Sequence, residues 1–267
     1  MPEADEPGAT TPPPDRREWT VGDGVAKRWQ DEADVLANRS IAAGDPTGWF
    51  DVLYRSAGTG AVEMPWDRDE PNPVLVDWAR SSGAVSSRST PSRATSDQAD
   101  TSRADTGRAI VVGGGLGMDA EFVSGLGYDT TAFDVSPTAV ATARARHPRS
   151  TVDYVVANLL DPPAEWARAF DLVVEIYTVQ AMPRSVRTIA TANVANLVAP
   201  GGTLVVVQGI PPTDDINAHG PPWLLIRREF EAFAASTADG ESLETIDIQA
   251  VDAPTGRRWR AEFYRPR

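Results

Sequence analysis

The sequence has 267 residues, 41% hydrophobic and 24% charged, which is ordinary usage for a globular protein. Asp and Glu outnumber Lys and Arg by 38 to 25, a net charge of −13; phosphate backbones and anionic lipid repel such a chain, so no nucleic-acid or membrane partner is expected. With no cysteine and two histidines there is no disulfide framework, no thiolate metal site, no cysteine nucleophile and no His-rich metal centre.

In chain order, residues 1–18 are Pro-rich and acidic, with almost no large apolar group, and read as a disordered tail without the basic and apolar blocks of a signal peptide. No apolar run approaches the ~18 residues of a membrane helix. A cytoplasmic protein, monomeric or a weak homodimer, is expected. Residues 19–80 have a helical pattern, with Val21, Val25, Trp29 and Leu36 near one face. Gly44-Asp45-Pro46-Thr47 then turns into a second helix carrying Trp49, Phe50, Leu53 and Tyr54. This segment reads as a helical cover. Residues 81–107 are dominated by Ser and Thr and read as a flexible linker or inserted loop.

From 108 to 267 short β-branched runs alternate with helical segments. Ala109–Val112, Thr130–Phe133, Val152–Val156, Leu172–Ile176 and Thr203–Val207 predict five parallel strands, with helices such as Ser136–Arg146 and Ser185–Val198 on both faces. An amphipathic helix over Trp223–Ala235 is followed by two strand candidates, Leu243–Val251 and Arg257–Tyr264, close enough in sequence to form an antiparallel hairpin. The predicted fold is an α/β, Rossmann-like sheet with an antiparallel end. That end separates the chain from a plain dinucleotide fold.

The strongest chemical signal lies between the first strand and its helix, at Gly113-Gly114-Gly115-Leu116-Gly117. Glycine there lets a ligand approach the backbone closely. Asp134 ends the second strand 19 residues after Gly115, where a carboxylate can accept hydrogen bonds from both hydroxyls of an adenosine ribose; Val135 beside it is expected in the same site. After the third strand, Asn158 offers a side-chain oxygen to an adenine amino group, and the next backbone N–H, at Leu159, can reach a ring nitrogen. Asp161 reads as a helix cap before Pro162-Pro163. Glu175, Tyr177 and Gln180 follow the fourth strand and face the ligand crevice in an open α/β sheet. Glu175 is the available general base for an oxygen acceptor. Leu197–Gly202 reads as a helix stop and turn into the fifth strand.

The Gly113-x-Gly115-x-Gly117 spacing with Asp134 resembles class I S-adenosylmethionine-dependent methyltransferases from Arg108 to the C-terminus. Pro65-Trp66-Asp67 and Asn72-Pro73-Val74-Leu75 further resemble the thiopurine S-methyltransferase superfamily, which includes thiol, halide and chalcogen-oxyanion methyltransferases. The chain departs from that group in having Gly114 where cysteine is common and Leu53 where a second tryptophan is usual. The resemblance implies S-adenosylmethionine as cofactor, a helical cover whose tryptophans close over it, donor contacts from Trp49 and Leu75, a pocket wall at Trp66 and an active-site arginine at Arg187. It implies methyl transfer to a small molecule, most readily a thiol, with O- or N-methylation as the alternative. A nicotinamide-dependent oxidoreductase shares the glycine turn and Asp134, and a non-catalytic adenosyl-ligand binder is a third reading.

Overall fold

Alternate residues of the first predicted strand bury on opposite sides, which is what a parallel strand sandwiched between helices does. In the computed structural model, which describes residues 26–59, 64, 66–83, 106–213, 220–235 and 242–267, Ile110 and Val112 point to one face of the sheet and Ala109 and Val111 to the other. This strand is β1 (Arg108–Val112), followed by β2 (Asp129–Asp134), β3 (Asp153–Val156), β4 (Phe170–Ile176) and β5 (Val198–Gly209). They pair in parallel, and β6 (Glu244–Val251) and β7 (Arg258–Tyr264) add an antiparallel hairpin in the order β3-β2-β1-β4-β5-β7-β6. The five parallel strands and the hairpin are as the sequence predicts. The strand order reverses between β1 and β4, so a crevice opens beyond their carboxyl ends.

Helices α1 (Ala26–Ala42), α2 (Trp49–Gly58) and α3 (Pro73–Ser81) form the cover. Trp29, Ala33, Ala37, Trp49, Leu53 and Tyr54 pack together against Leu116 of the glycine turn and Ala139 of α5 (Pro137–Arg146). Asp51 joins cover to sheet layer, accepting from Ser136 Oγ (2.7 Å) and Thr138 N (3.1 Å) at the α5 N-terminus, where a carboxylate satisfies otherwise unpaired helix N–H groups. The remaining helices are α4 (Met118–Gly125), α6 (Thr178–Ala181), α7 (Arg184–Asn196) and α8 (Arg227–Ala235).

Three local expectations are corrected. The helix expected from Trp223 begins at Arg227, because the carbonyls of Trp223 and Leu224 accept from Arg187 and Arg184 and are not available to a helical turn. Strand β5 begins at Val198, where a separate turn was expected; Val198 already pairs with Phe170 across a register shift, and Gly201 takes φ +81° inside the strand. Asp161 caps no helix: the double proline leads only to a 3₁₀ turn at Ala164–Trp166, and the Asp161 N–H donates to Asn158 O. The tail at 1–18, Val21, Val25 and most of the 81–107 linker lie outside the described residues.

Candidate functional site

The turn after β1 is built for close approach. Gly113, Gly115 and Gly117 have φ of +60°, +52° and +97°, values that glycine adopts without a Cβ penalty. Space is equally restrictive: a Cβ at Gly113 would overlap the Thr178 side chain, and one at Gly115 would lie 3.0 Å from the Tyr54 hydroxyl. Asp134 sits across this turn, 8% exposed. Its Oδ2 accepts from Gly115 N (3.1 Å) and its Oδ1 from Ser136 N (2.9 Å). Each oxygen keeps a further lone pair for a ligand. Burial pushes the Asp134 carboxyl up to about 6, with the nearby Asp51 charge adding to the rise and the N–H groups of Ser136, Gly115 and Val135 opposing it.

The cover closes this end. Tyr54 stands over Gly115, and Trp66 Nε1 donates to its hydroxyl at 2.9 Å; Trp29 meets Trp66 edge-on at 5.5 Å. Two ion pairs flank Trp66, Asp67 with Arg146 and Arg68 with Asp119. Asp119 also accepts from Asn72 N (2.6 Å), which ties the cover to the first turn of α4. Burial raises the Asp119 carboxyl despite Arg68 and the Asn72 N–H.

Beyond β4 the chain turns sharply. Tyr177 has φ +61°, an uncommon backbone state for a bulky residue and one that collects at functional sites. Glu175, fully buried, holds the turn: its Oε1 accepts from Thr178 N (2.8 Å) and Val179 N (2.9 Å), and its Oε2 accepts from Gln208 Nε2. Burial drives its carboxyl up to about 7 against the hydrogen bonds from Val179, Gln208 and Thr178 and the Arg187 charge. Thr178 Oγ1 donates to Val112 O (3.0 Å), locking the turn to the end of β1.

These parts line one cavity of about 1500 Å³, large enough for a cofactor and a small molecule together. Of the residues predicted from sequence, Trp49, Trp66, Gly113, Gly115, Gly117, Asp134, Val135, Leu159, Tyr177 and Gln180 line it, while Leu75, Asn158, Glu175 and Arg187 do not. Leu75 is buried in the packing between α3 and the sheet, and its neighbour Val76 faces the cavity instead. Asn158 Oδ1 is spent locally on Leu160 N (2.9 Å), since an Asn side chain readily bonds its own backbone two residues on. Glu175 is withdrawn beneath the turn it supports.

Arg187, 5% exposed, is bound to Glu229 Oε1 (2.7 Å) and Trp223 O (2.5 Å), so it joins α7 to the segment leading into α8. An active-site role is replaced by a structural one. Arg187→Leu is therefore expected to lower the urea midpoint by an amount equivalent to about 1–3 kcal/mol, because it leaves the half-buried Trp223 carbonyl without its donor and Glu229 with only Arg184 of its two guanidinium partners. Affinity for S-adenosylhomocysteine, measured by calorimetry, should stay within about twofold; a lost affinity in a stable variant would return Arg187 to the site.

Sequence reasoning missed Trp29, Tyr54, Asp119, Thr178 and Arg258 as cavity residues. Tyr54 was visible only as a helix-face aromatic, and no local pattern signals that it meets the glycine turn.

Residues 109–202 match the family described as the methyltransferase domain. No curated protein matches the sequence. In three dimensions the chain is similar to the protein solved in work on conversion of a disulfide bond into a thioacetal group during echinomycin biosynthesis (20% identity, 82% of this chain and 93% of that one, TM-score 0.58). It is also similar to the N-methyltransferase NodS from Bradyrhizobium japonicum in complex with S-adenosyl-L-homocysteine (18% identity, 80% and 98%, TM-score 0.55). The fold is thus the Rossmann-like class I methyltransferase fold, and the matched domain makes the protein an S-adenosylmethionine-dependent methyltransferase. The site fits that cofactor: the turn has no room for side chains, Asp134 keeps acceptor capacity, and the buried indole N–H of Trp49 has no partner among the described residues.

Proposed function

We propose that the protein methylates a small thiol, as the likeness of Pro65-Trp66-Asp67 and Asn72–Leu75 to thiopurine-type methyltransferases suggests. In this reading Asp134 accepts from the ribose hydroxyls, the Leu159 N–H meets the adenine, and Trp49, Tyr54 and Trp66 exclude water over the donor. S-adenosylmethionine, when bound, supplies a methyl group already activated on a sulfonium. The protein's own task is then alignment and exclusion of water.

The observation that carries the choice of sulfur is the burial of Glu175. Its carboxylate is occupied by Thr178 N, Val179 N and Gln208, and the described side chains flanking Tyr177 on the cavity wall are Ile176, Thr178, Gln180, Ala181 and Met182. An acceptor that brings its own charge suits such a wall. A thiol near pKa ~8.5 is partly ionised at neutral pH, whereas a phenol near ~10 is mostly protonated. The fold relatives include sulfur and nitrogen chemistry, and their low identity makes them neutral on the acceptor atom. The test is a competition in which thiophenol, phenol and aniline are each offered with S-adenosylmethionine, and products are resolved by mass spectrometry. Thiophenol should be methylated at least tenfold faster than the others. Methylation of phenol or aniline with none of thiophenol would overturn the acceptor and leave the methyltransferase standing.

A further inference from the structure

Resting on the thiol reading, we propose that Arg258 is a positioning residue that commits the Tyr177 hydroxyl to the cavity, where its O–H receives the thiolate of the methyl acceptor. Arg258 stands at the start of β7, is buried, and donates its Nε–H to the Tyr177 phenol oxygen at 3.0 Å. A guanidinium has donors only, so this bond occupies a lone pair of the phenol and the phenol hydrogen must point elsewhere. Among the described residues no acceptor takes that hydrogen, and Tyr177 lines the cavity.

Both partners are held in place. Arg258 Nη2 donates to Thr255 O (2.8 Å) and Thr255 Oγ1 (2.7 Å), and Nη1 to Arg257 O (2.9 Å), which fixes its fork to the β6–β7 turn. Tyr177 N donates to Val207 O (3.0 Å), and Glu175 secures the next two N–H groups, so the left-handed backbone that aims the ring is set from beneath. Position completes the argument. Asp134 marks one end of the crevice at β2, and Tyr177 stands at the end of β4, on the other side of the glycine turn. A hydroxyl donor there meets the acceptor end of the cavity.

The role has a distinctive kinetic signature. Negative charge on the attacking sulfur is greatest before reaction and is lost as the S–CH₃ bond forms, so a hydrogen bond from Tyr177 favours the bound thiolate more than the transition state. Removing it should raise KM and leave kcat unchanged or slightly raised.

The test is a double-mutant cycle with thiophenol, an aryl thiol largely ionised at pH 8. Binding is measured by calorimetry to protein saturated with S-adenosylhomocysteine, and turnover is measured with S-adenosylmethionine. Tyr177→Phe and Arg258→Gln should each weaken thiophenol binding and raise KM about tenfold, with kcat within about twofold. The double variant should be no worse than either single one. Where Arg258→Gln does not fold, Arg258→Lys, which lacks the Nε donor, reads the same loss. Losses that multiply in the double variant, unchanged thiophenol binding in either single variant, or a fall in kcat at constant KM would overturn the proposal, as would a wild-type complex that binds no thiophenol. If S-adenosylhomocysteine itself does not bind the wild type, the donor reading has failed; if it binds and the cycle is additive, only the roles of Arg258 and Tyr177 have failed.

Discussion

Asp134→Ala is expected to weaken binding of S-adenosylhomocysteine by about 1.5–3 kcal/mol, roughly 10- to 150-fold, while the variant stays folded. The carboxylate is buried beside the glycine turn, with one N–H on each oxygen and further acceptor capacity toward the cavity. Two ribose hydroxyls donating to a charged, desolvated acceptor are worth that much. Because burial raises this carboxyl to about 6, the wild type should also lose affinity as pH falls below 6: hydroxyl donation favours the ionised form, so protonation competes with the ligand. The Asp134→Ala variant should lack this dependence between pH 5 and 7. Calorimetry over that range, with a melting curve for each sample, checks both statements. An unchanged affinity in a folded variant would remove Asp134 from the donor site.

Glu175→Ala should be the most destabilising single change near the site. It leaves two backbone N–H groups at the start of α6 and the Gln208 amide without their acceptor, and each orphaned buried group costs about 1–3 kcal/mol. A loss of at least about 3 kcal/mol by urea unfolding is expected, together with loss of the Tyr177 turn. Glu175→Gln keeps one oxygen for Thr178 and Val179 and should be milder, with thiophenol turnover retained. The pH dependence follows from the direction of the shift. The folded carboxyl titrates near 7 and the unfolded one near 4.5, so between these values the native state holds more proton and stability falls as pH rises. Asp134 acts in the same sense up to about 6. Urea midpoints should therefore decline from pH 4.5 to 7.5, and a Glu175→Gln variant should decline less. A fully stable Glu175→Ala protein that has lost turnover would show that Glu175 acts on the acceptor.

The sheet was legible because burial on both faces demands runs such as Ala109–Val112 and Leu172–Ile176, and because glycine turns and hairpin spacings are local signals. The donor end was legible for the same reason: Gly113, Gly115, Gly117 and Asp134 are fixed by strand ends. The acceptor end depends on tertiary pairing. Whether Glu175 faces the cavity or its own helix is decided by Gln208 on β5, 33 residues away. Arg187 matched a sequence pattern, yet the segment from Trp223 to Glu229 folds back and claims its guanidinium. Arg258 reaches Tyr177 only because β7 inserts beside β5, a strand order that sequence spacing does not specify.

The central claim, that the glycine turn and Asp134 hold S-adenosylmethionine for methyl transfer, is tested most directly by calorimetry of the full chain with S-adenosylmethionine, S-adenosylhomocysteine and NADH side by side. Both adenosyl ligands should bind at micromolar affinity or tighter and NADH negligibly; NADH bound as tightly as S-adenosylhomocysteine, or no binding of either adenosyl ligand, would contradict this assignment.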